Sequence, residues 1–257
     1  MALRDYLQLI RFKYHLSFAT VILGVLFSNA PFMIVWKPLL LLYFAFNVLL
    51  YGGLYTINDI ADAKSDAKHP LKRKRPLPSR RISARAAMIF ALILIFSGLL
   101  IGYLFFDRLI FIMLLIFVAL NMLYTFAAKK LAYIELVANS LTHPLRAALG
   151  IVVGGAALPP KILLAAFFLA IGIATVRRMI EKSSEGWHAR KALKQYTYAR
   201  LLLIQLVSFC ALLLLFWYDY PNHAPWYFLL VLLYLALVFG IYFSRKLRRI
   251  NRKRWLH

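Results

Sequence analysis

The chain has 257 residues, of which 63% are hydrophobic and only 16% are charged, and its formal net charge is +23. A soluble domain of this length is usually less than half apolar, so the composition argues against a soluble globular protein. A strongly basic chain could also bind nucleic acid, but the basic residues here sort to one side of a predicted membrane. We therefore expect a membrane protein with no nucleic-acid partner.

The apolar residues fall in blocks long enough to cross a bilayer, which takes about 20 residues. The pattern predicts eight membrane-spanning helices, at about residues 14–30, 37–57, 84–105, 108–127, 132–154, 160–180, 198–217 and 225–243. No A-x-A-like cleavage site follows the first apolar run, so we expect a retained span rather than a signal peptide. The amphipathic stretch before it, residues 3–11, is predicted to lie at the membrane interface. The predicted fold is an all-α polytopic membrane protein, with residues 1–257 forming a single transmembrane domain.

The distribution of lysine and arginine predicts the orientation. With eight spans both termini lie on the same side, and almost all of the 32 basic residues fall on that side. The exceptions are Lys37, Arg108 and Lys161 on the far side and Arg146 within a span. The positive-inside rule makes the side of the termini cytoplasmic, so we expect a multi-pass protein of the plasma (inner) membrane. The basic tail, residues 244–257, would lie against anionic lipid.

Two connections between spans are long and polar, residues 58–83 and residues 178–197. They follow the second and the sixth span, which are equivalent positions if the chain consists of two four-helix halves, about 1–130 and 131–257. Such halves would be parallel repeats about an axis normal to the membrane. We therefore expect both connections to be cytoplasmic and to face each other at the mouth of a central cavity.

The first connection carries three aspartates, Asp59, Asp62 and Asp66, at a spacing of i, i+3 and i+7. On a helix this spacing places all three carboxylates on one face, where they repel each other unless a cation lies between them. An all-oxygen ligand set suits Mg²⁺, which is often shared with a substrate phosphate group. The alternative is a solvated loop whose acidic residues merely balance its basic residues.

A strongly basic segment follows the aspartates immediately. It contains Lys68, His69, Lys72, Arg73, Lys74 and Arg75. A carboxylate face that holds Mg²⁺ beside a cationic loop is a plausible receptor for a diphosphate group.

Two predicted spans also carry polar stripes. In the fifth span four residues fall within about 80° of one another around the helix: Glu135, Asn139, His143 and Arg146. In the second span one stripe leads into the aspartates through Asn47, Tyr51, Tyr55 and Asn58. Ionisable groups within spans are costly and usually functional, although Asn and His can also bond neighbouring helices without any chemistry.

Two arginines lie where the sixth span meets the second connection, which contains two glutamates four residues apart, Glu181 and Glu185. Residues four apart share a helix face, so these carboxylates could form a second magnesium site, with the preceding Arg177 and Arg178 binding phosphate. The alternative is a surface helix with ordinary ion pairs.

These residues together resemble the UbiA superfamily of intramembrane prenyltransferases. Asn58-Asp59-x-x-Asp62-x-x-x-Asp66 is similar to its first motif, and His69-Pro70-x-Lys72-x-x-Arg75-Pro76-Leu77-Pro78 is similar to the usual continuation. Tyr124 with Lys129 resembles a feature that follows the fourth span of the family, and Arg146 lies where the family keeps an arginine in its fifth span. The resemblance covers about residues 40–200.

Two features depart from the family pattern. Most members have a ninth span, and most have an Asp-x-x-x-Asp second motif in place of Arg177-Arg178-x-x-Glu181. The basic-basic-x-x-Glu form is similar to the subgroup that makes decaprenylphosphoryl-phosphoribose. That subgroup transfers phosphoribose from phosphoribosyl diphosphate to a polyprenyl phosphate.

The resemblance implies a Mg²⁺-dependent transferase that moves a polyprenyl group from its diphosphate to an aromatic or lipid acceptor. Phosphoribosyl transfer is the alternative, and a non-enzymatic lipid carrier is a distant one. The implied catalytic residues are Asp59, Asp62, Asp66, Tyr124, Lys129 and Arg146. The implied metal ligands are Asp59, Asp62, Asp66, Glu181 and Glu185. The implied substrate-binding residues are Tyr51, Tyr55, Asn58, Lys72, Arg75, Asn139, His143, Arg178 and Lys182.

Overall fold

The computed structural model describes residues 3–68, 72–182 and 191–240, and all regular structure in these ranges is helical. Its α-helices, α1 to α10, are Leu3–Ile10, Ala19–Phe27, Phe32–Leu42, Tyr51–Asp66, Ala84–Phe105, Arg108–Phe126, Ile134–Val153, Pro160–Lys182, Lys191–Gln195 and Tyr198–Tyr234. Short 3₁₀ helices cover Phe12–Phe18, Lys72–Lys74 and Ala128–Lys130, and π-helical segments cover Tyr43–Leu50 and Leu235–Phe239.

Within the described ranges, 8 helical segments are long and apolar enough to cross a membrane. They are Leu3–Phe27, Phe32–Asp66, Ala84–Phe105, Arg108–Lys130, Ile134–Val153, Pro160–Lys182, Tyr198–Asp219 and Pro221–Phe239. The last two belong to α10, which is interrupted at His223, where φ is −139° and ψ is 29°. The predicted all-α membrane protein with eight spans is therefore confirmed, while the basic tail 244–257 lies outside the described residues.

The chain divides into two compact units. The first comprises Met1–Phe126 with Leu145–Ala157, and the second comprises Ala127–Pro144 with Leu158–His257. Helix α7 contributes to both, and the division falls after Pro144, a residue that cannot donate a backbone hydrogen bond. Each unit is described by itself below. The predicted four-helix repeat and the facing of the two polar connections stay predictions.

In the first unit, α2 and the second half of α7 approach closely through glycines. A Cβ atom on Gly24 would lie 2.1 Å from the carbonyl oxygen of Ala147, and one on Gly150 would lie 1.9 Å from that of Val21. Small residues allow such close backbone approach between helices in membranes, where van der Waals packing supplies much of the association energy.

We expect Gly150→Ala to lower the free energy of unfolding by about 1–3 kcal/mol or more, because the added methyl group overlaps backbone that cannot move aside. Thermal unfolding of the purified protein in detergent measures this. Val137→Ile, which adds one carbon at an exposed position of the same helix, is the matched control and should leave the melting temperature unchanged. Equal melting temperatures for the two variants would contradict the close approach of the helices.

Helix α1 packs against α4 and helps to hold the basic connection in place. Leu9 is buried with Leu77 and Ile82 of the connection and with Ala87 at the start of α5. Asp5 also forms an ion pair with Arg81. This packing fixes the segment that carries Lys72 and Arg75.

In the second unit, a buried carboxylate lies beside the interruption of α10. Asp219 accepts hydrogen bonds from Asn222 Nδ2 at 3.0 Å and from the Tyr227 hydroxyl at 3.2 Å. It also pairs with Lys161 at 3.3 Å and contacts His223 Nδ1 at 2.8 Å. These contacts join the start of α8 to α10, which is a structural role.

Candidate active site

The three aspartates of the first motif lie on the last turns of α4. The sequence-based boundary placed the end of this span at residue 57, but the helix continues to Asp66. No glycine or proline occurs between Asn58 and Asp66, and Pro70 follows four residues later, so the sequence allows the helix to continue to this point. The acidic motif is therefore part of the spanning helix and not of a loop.

Asp59 forms a bidentate ion pair with Arg11. The Nε atom of Arg11 lies 3.0 Å from Oδ2, and its Nη2 atom contacts Oδ1. Both side chains are almost completely buried. Arg11 follows α1 in a left-handed backbone conformation, with φ 56° and ψ 53°, which turns the chain toward α4. The N-terminal segment thus places the positive charge of Arg11 beside Asp59.

Asp66 is buried and is bound by the basic connection. Arg75 Nη1 lies 2.7 Å from its Oδ2 atom, and Lys72 Nζ lies 3.6 Å from Oδ1. Asp62 is only partly buried, and it accepts a hydrogen bond from Asn58 Nδ2 at 3.2 Å. The predicted proximity of the acidic motif to Lys72 and Arg75 is thus present in the structure.

Aromatic side chains extend the same face of α4 toward its N-terminus. The hydroxyl groups of Tyr51 and Tyr55 lie 2.6 Å apart, and Tyr55 stacks on Tyr14 with a centroid distance of 5.0 Å. The guanidinium of Arg11 lies 5.7 Å from the centroids of both Tyr14 and Tyr55. These contacts place tyrosine rings next to the ion-paired Asp59.

Arg146 is 2% exposed and lies among three aromatic rings of the first unit. Its guanidinium carbon is 4.8 Å from the centroid of Tyr51, 4.9 Å from Phe117 and 5.9 Å from Phe46. Cation–π contacts of this kind contribute more when they are desolvated. The predicted polar stripe residue Arg146 and the predicted substrate residue Tyr51 are thus in contact.

The second unit contains its own cluster of glutamates and arginines. Helix α8 continues to Lys182, so Arg177, Arg178 and Glu181 lie on its last turns. Glu181 pairs with Arg177 Nε at 2.9 Å and with Arg178 Nη1. Arg178 also contacts the completely buried Glu135 at the start of α7, with Nε 2.6 Å from Oε1. Glu185 lies outside the described residues, as do His69 and Pro70.

Tyr196 completes this second cluster. Its hydroxyl donates to Glu135 Oε1 at 2.8 Å and accepts from the backbone N–H of Tyr133 at 3.2 Å. Burial raises the pKa of the Tyr196 hydroxyl, and the adjacent Glu135 carboxylate raises it further. The hydroxyl therefore stays protonated and remains a donor over the working pH range.

The remaining predicted residues lie outside the two clusters of ion pairs described above. Tyr124, Lys129, Asn139 and His143 are partly buried on α6, the following 3₁₀ helix and α7. The ammonium of Lys182 donates to the backbone oxygen of Leu193 at 3.3 Å. Their roles as catalytic or substrate-binding residues stay predictions.

The carboxylates of α4 are the candidate magnesium ligands of the first unit. Within the described residues, no three Asp, Glu, His or Cys side chains are arranged as a metal site. Instead, Asp59 and Asp66 are each paired with cationic side chains. The three carboxylates lie on one helix face and offer only oxygen donors, which fits Mg²⁺ once those side chains give way to it.

Three residues of these clusters were missed as site residues by sequence reasoning: Arg11, Glu135 and Tyr196. Glu135 carries a signal, because it is an acidic residue within a predicted span, but its place in the polar stripe does not identify its partners. Arg11 had no comparable signal, since its partner Asp59 is 48 residues away in the sequence.

Comparison with known proteins decides the family. A family model described as the UbiA prenyltransferase family matches residues 17–256 of this chain. The chain belongs to the UbiA prenyltransferase family. The resemblance inferred from the motifs is thus confirmed, and the family's members include transferases of more than one kind.

Two curated relatives show this range within the family. The chain is 33% identical over 194 residues to the digeranylgeranylglyceryl phosphate synthase of Methanococcus aeolicus, covering 75% of this chain and 66% of that protein. It is 29% identical over 196 residues to the decaprenyl-phosphate phosphoribosyltransferase of Corynebacterium glutamicum, covering 71% of this chain and 59% of that protein. The chain thus spans less than two thirds of the length of either relative.

Solved structures share the UbiA fold with this chain. A UbiA homolog from Archaeoglobus fulgidus bound to DMAPP and Mg²⁺ superposes with a TM-score of 0.77, at 18% identity, over 98% of this chain and 96% of that one. The apo structure of a UbiA homolog from Aeropyrum pernix K1 gives a TM-score of 0.67, at 17% identity, over 94% of each chain. At these identities the likeness shows the fold alone.

Proposed function

We propose that this member of the UbiA family is a Mg²⁺-dependent prenyltransferase that moves a polyprenyl group from its diphosphate to an aromatic or lipid acceptor. The observation that carries the proposal is the face of α4, where three carboxylates lie beside Arg11, Lys72 and Arg75 and continue into tyrosine rings. Carboxylates can hold the metal, the basic side chains suit a diphosphate, and the aromatic rings suit a carbon chain that acquires positive charge.

The reaction breaks the bond between the first prenyl carbon and the diphosphate oxygen, and it forms a bond from that carbon to the acceptor, which loses a proton. Asp59, Asp62 and Asp66 would hold Mg²⁺, which would stabilise the negative charge on the departing diphosphate. Lys72 and Arg75, released from Asp66, add positive charge to the same group. The rings of Tyr51 and Tyr55 flank the developing carbocation.

For the cluster of the second unit, taken by itself, the proposal also assigns a metal ligand and a phosphate-binding arginine. Glu181 would be its metal ligand, and Arg177 is its more exposed arginine. We expect the proposed site to face the cytoplasmic side of the plasma membrane, because the basic residues concentrate on the side that the positive-inside rule makes cytoplasmic. The acceptor would approach from the bilayer.

A second candidate function is phosphoribosyl transfer from phosphoribosyl diphosphate to a polyprenyl phosphate. It is favoured by the second motif, in which Arg177 and Arg178 both bind Glu181 where most of the family carries aspartates. The relative from Corynebacterium glutamicum is named for that reaction. Both reactions release diphosphate from a carbon that can bear positive charge, so the first cluster serves either donor.

Diphosphate release by the purified protein in lipid vesicles, with Mg²⁺, separates the candidates. One mixture contains a long prenyl diphosphate with aromatic and lipid acceptors, and the other contains phosphoribosyl diphosphate with a polyprenyl phosphate. We expect release in the first mixture and none after chelation of Mg²⁺. Release only in the second mixture would establish the phosphoribosyl reaction, and no release in either would favour a lipid carrier.

Because Arg11 is paired with the Asp59 carboxylate, it would compete with a metal ion for that ligand. Arg11→Gln removes one positive charge from the carboxylate face, so the variant is expected to bind free Mn²⁺ about tenfold more tightly. Electron paramagnetic resonance of Mn²⁺ titrated into the detergent-solubilised protein measures this. Arg81→Gln, which removes a basic residue paired with Asp5 instead, should bind Mn²⁺ as the wild type does. Weaker binding by Arg11→Gln would show that Arg11 helps to build the metal site.

A further inference from the structure

The carboxylate of Glu135 is the most enclosed acidic group of the second cluster. The residue is 0% exposed. Arg178 Nη2 donates to its Oε2 at 3.0 Å, Arg178 Nε lies 2.6 Å from Oε1 as an ion-pair contact, and the Tyr196 hydroxyl donates to Oε1. A guanidinium that contacts both oxygens of a buried carboxylate in this way restrains both its position and its orientation. Because Glu135 is completely enclosed, it cannot itself contact a substrate.

The same guanidinium of Arg178 also contacts a second carboxylate. Its third nitrogen, Nη1, contacts Glu181 Oε2, so one planar guanidinium connects the start of α7 to the end of α8. The other oxygen of Glu181 accepts from Arg177 Nε at 2.9 Å. The orientation of Glu181 thus depends on Arg178, whose own orientation depends on Glu135.

The two arginines differ in what they can reach. The side chain of Arg178 is 3% exposed and spans two carboxylates, whereas that of Arg177 is 36% exposed. Arg177 is therefore the arginine of this pair that can present charge to a bound anion. Because Arg178 is enclosed, its role is to hold the neighbouring carboxylates in place.

We propose that Glu135 is a positioning residue that acts through Arg178 to hold Glu181 in the orientation needed for metal–diphosphate binding. This inference rests on the proposed function. Tyr196, which lies in the short segment before α10, adds to this positioning by holding the Glu135 carboxylate in place. Groups that orient a metal ligand from outside the ligand shell typically change metal affinity by about 10- to 100-fold when they are altered.

The test uses Glu135→Gln and follows Mn²⁺ with inorganic diphosphate by electron paramagnetic resonance, alongside thermal unfolding. We expect the dissociation constant of the metal–diphosphate pair to rise about tenfold, because a neutral amide cannot hold Arg178 as the carboxylate does. In turnover, the Mg²⁺ concentration for half-maximal rate should rise by a similar factor. Asp219→Asn is the matched control, since Asp219 is another buried, ion-paired carboxylate of the same unit. It should lower the melting temperature without changing metal–diphosphate binding.

A second variant keeps the inference testable if Glu135→Gln does not fold. Tyr196→Phe removes only the hydroxyl that binds Glu135 and keeps the buried ring, so it should fold and weaken metal–diphosphate binding about threefold. Wild-type affinity in a folded Glu135→Gln protein, or in Tyr196→Phe where Glu135→Gln fails to fold, would overturn the positioning role. Absence of binding to the wild type would instead overturn the proposed function.

Discussion

Asp62→Asn is expected to lower the rate of diphosphate release by about 100- to 1,000-fold while leaving the protein folded. Among the α4 carboxylates, Asp62 is the one that is partly exposed and hydrogen-bonded to Asn58. An asparagine can keep a hydrogen bond there but cannot supply the negative charge of a metal ligand. Losing that ligand should remove about 3–4 kcal/mol of transition-state stabilisation. Initial rates at saturating donor and Mg²⁺ measure the effect.

The control for Asp62→Asn is Asp107→Asn, the same change at an exposed aspartate that precedes α6. That variant should turn over at the wild-type rate. Equal melting temperatures for both variants would show that the loss of rate is not a loss of fold. Wild-type turnover by Asp62→Asn would contradict the proposal that the α4 face is the catalytic metal site.

Arg146→Gln should lower the rate of diphosphate release by about 10- to 100-fold and should not lower the melting temperature. The guanidinium of Arg146 lies 4.8 Å from the centroid of Tyr51, whose ring the proposed mechanism places beside the developing carbocation, so its loss should displace that ring. Removing a charge that lies buried among Tyr51, Phe117 and Phe46 also relieves a desolvation cost. A lower rate of diphosphate release without a lower melting temperature would show that Arg146 contributes to function and not to stability.

The matched control for Arg146→Gln is Arg85→Gln, since Arg85 is exposed at the start of α5. Neither the rate nor the melting temperature of that variant should change. The rates come from the diphosphate assay and the melting temperatures from thermal unfolding in detergent. A strong loss of stability in Arg146→Gln, with unchanged turnover per folded molecule, would instead assign Arg146 to packing.

Much of the fold was predictable because it depends on local properties of the sequence. Apolar runs predicted eight spans, and the spacing of Asp59, Asp62 and Asp66 predicted one helix face. The end of α4 was harder to predict, since apolarity falls after Ile57 while the helical backbone continues to Asp66. Hydropathy indicates which part of a helix lies in the membrane. It does not indicate where the backbone hydrogen bonds of the helix end.

The site was less predictable because its ion pairs connect distant segments. Arg11 and Asp59 are 48 residues apart, and Glu135 and Arg178 are 43 residues apart. No periodicity relates such residues, so a single sequence shows that each needs a partner without showing which one. The aromatic surroundings of Arg146 are a similar case, because Phe46, Tyr51 and Phe117 come from three helical segments.

The charge balance of the first cluster has a consequence for how its ligands bind. In the described part of the first unit, Asp59 and Asp66 lie against three cationic side chains, Arg11, Lys72 and Arg75, and Asp62 lies on the same helix face with a hydrogen bond from Asn58. A site whose charges already cancel gains little electrostatic energy from a free cation or a free anion alone. Mg²⁺ and the diphosphate donor should therefore bind cooperatively, each raising the affinity for the other by the same factor. The concentration of free Mg²⁺ in the cell would then set the apparent affinity of the enzyme for its donor.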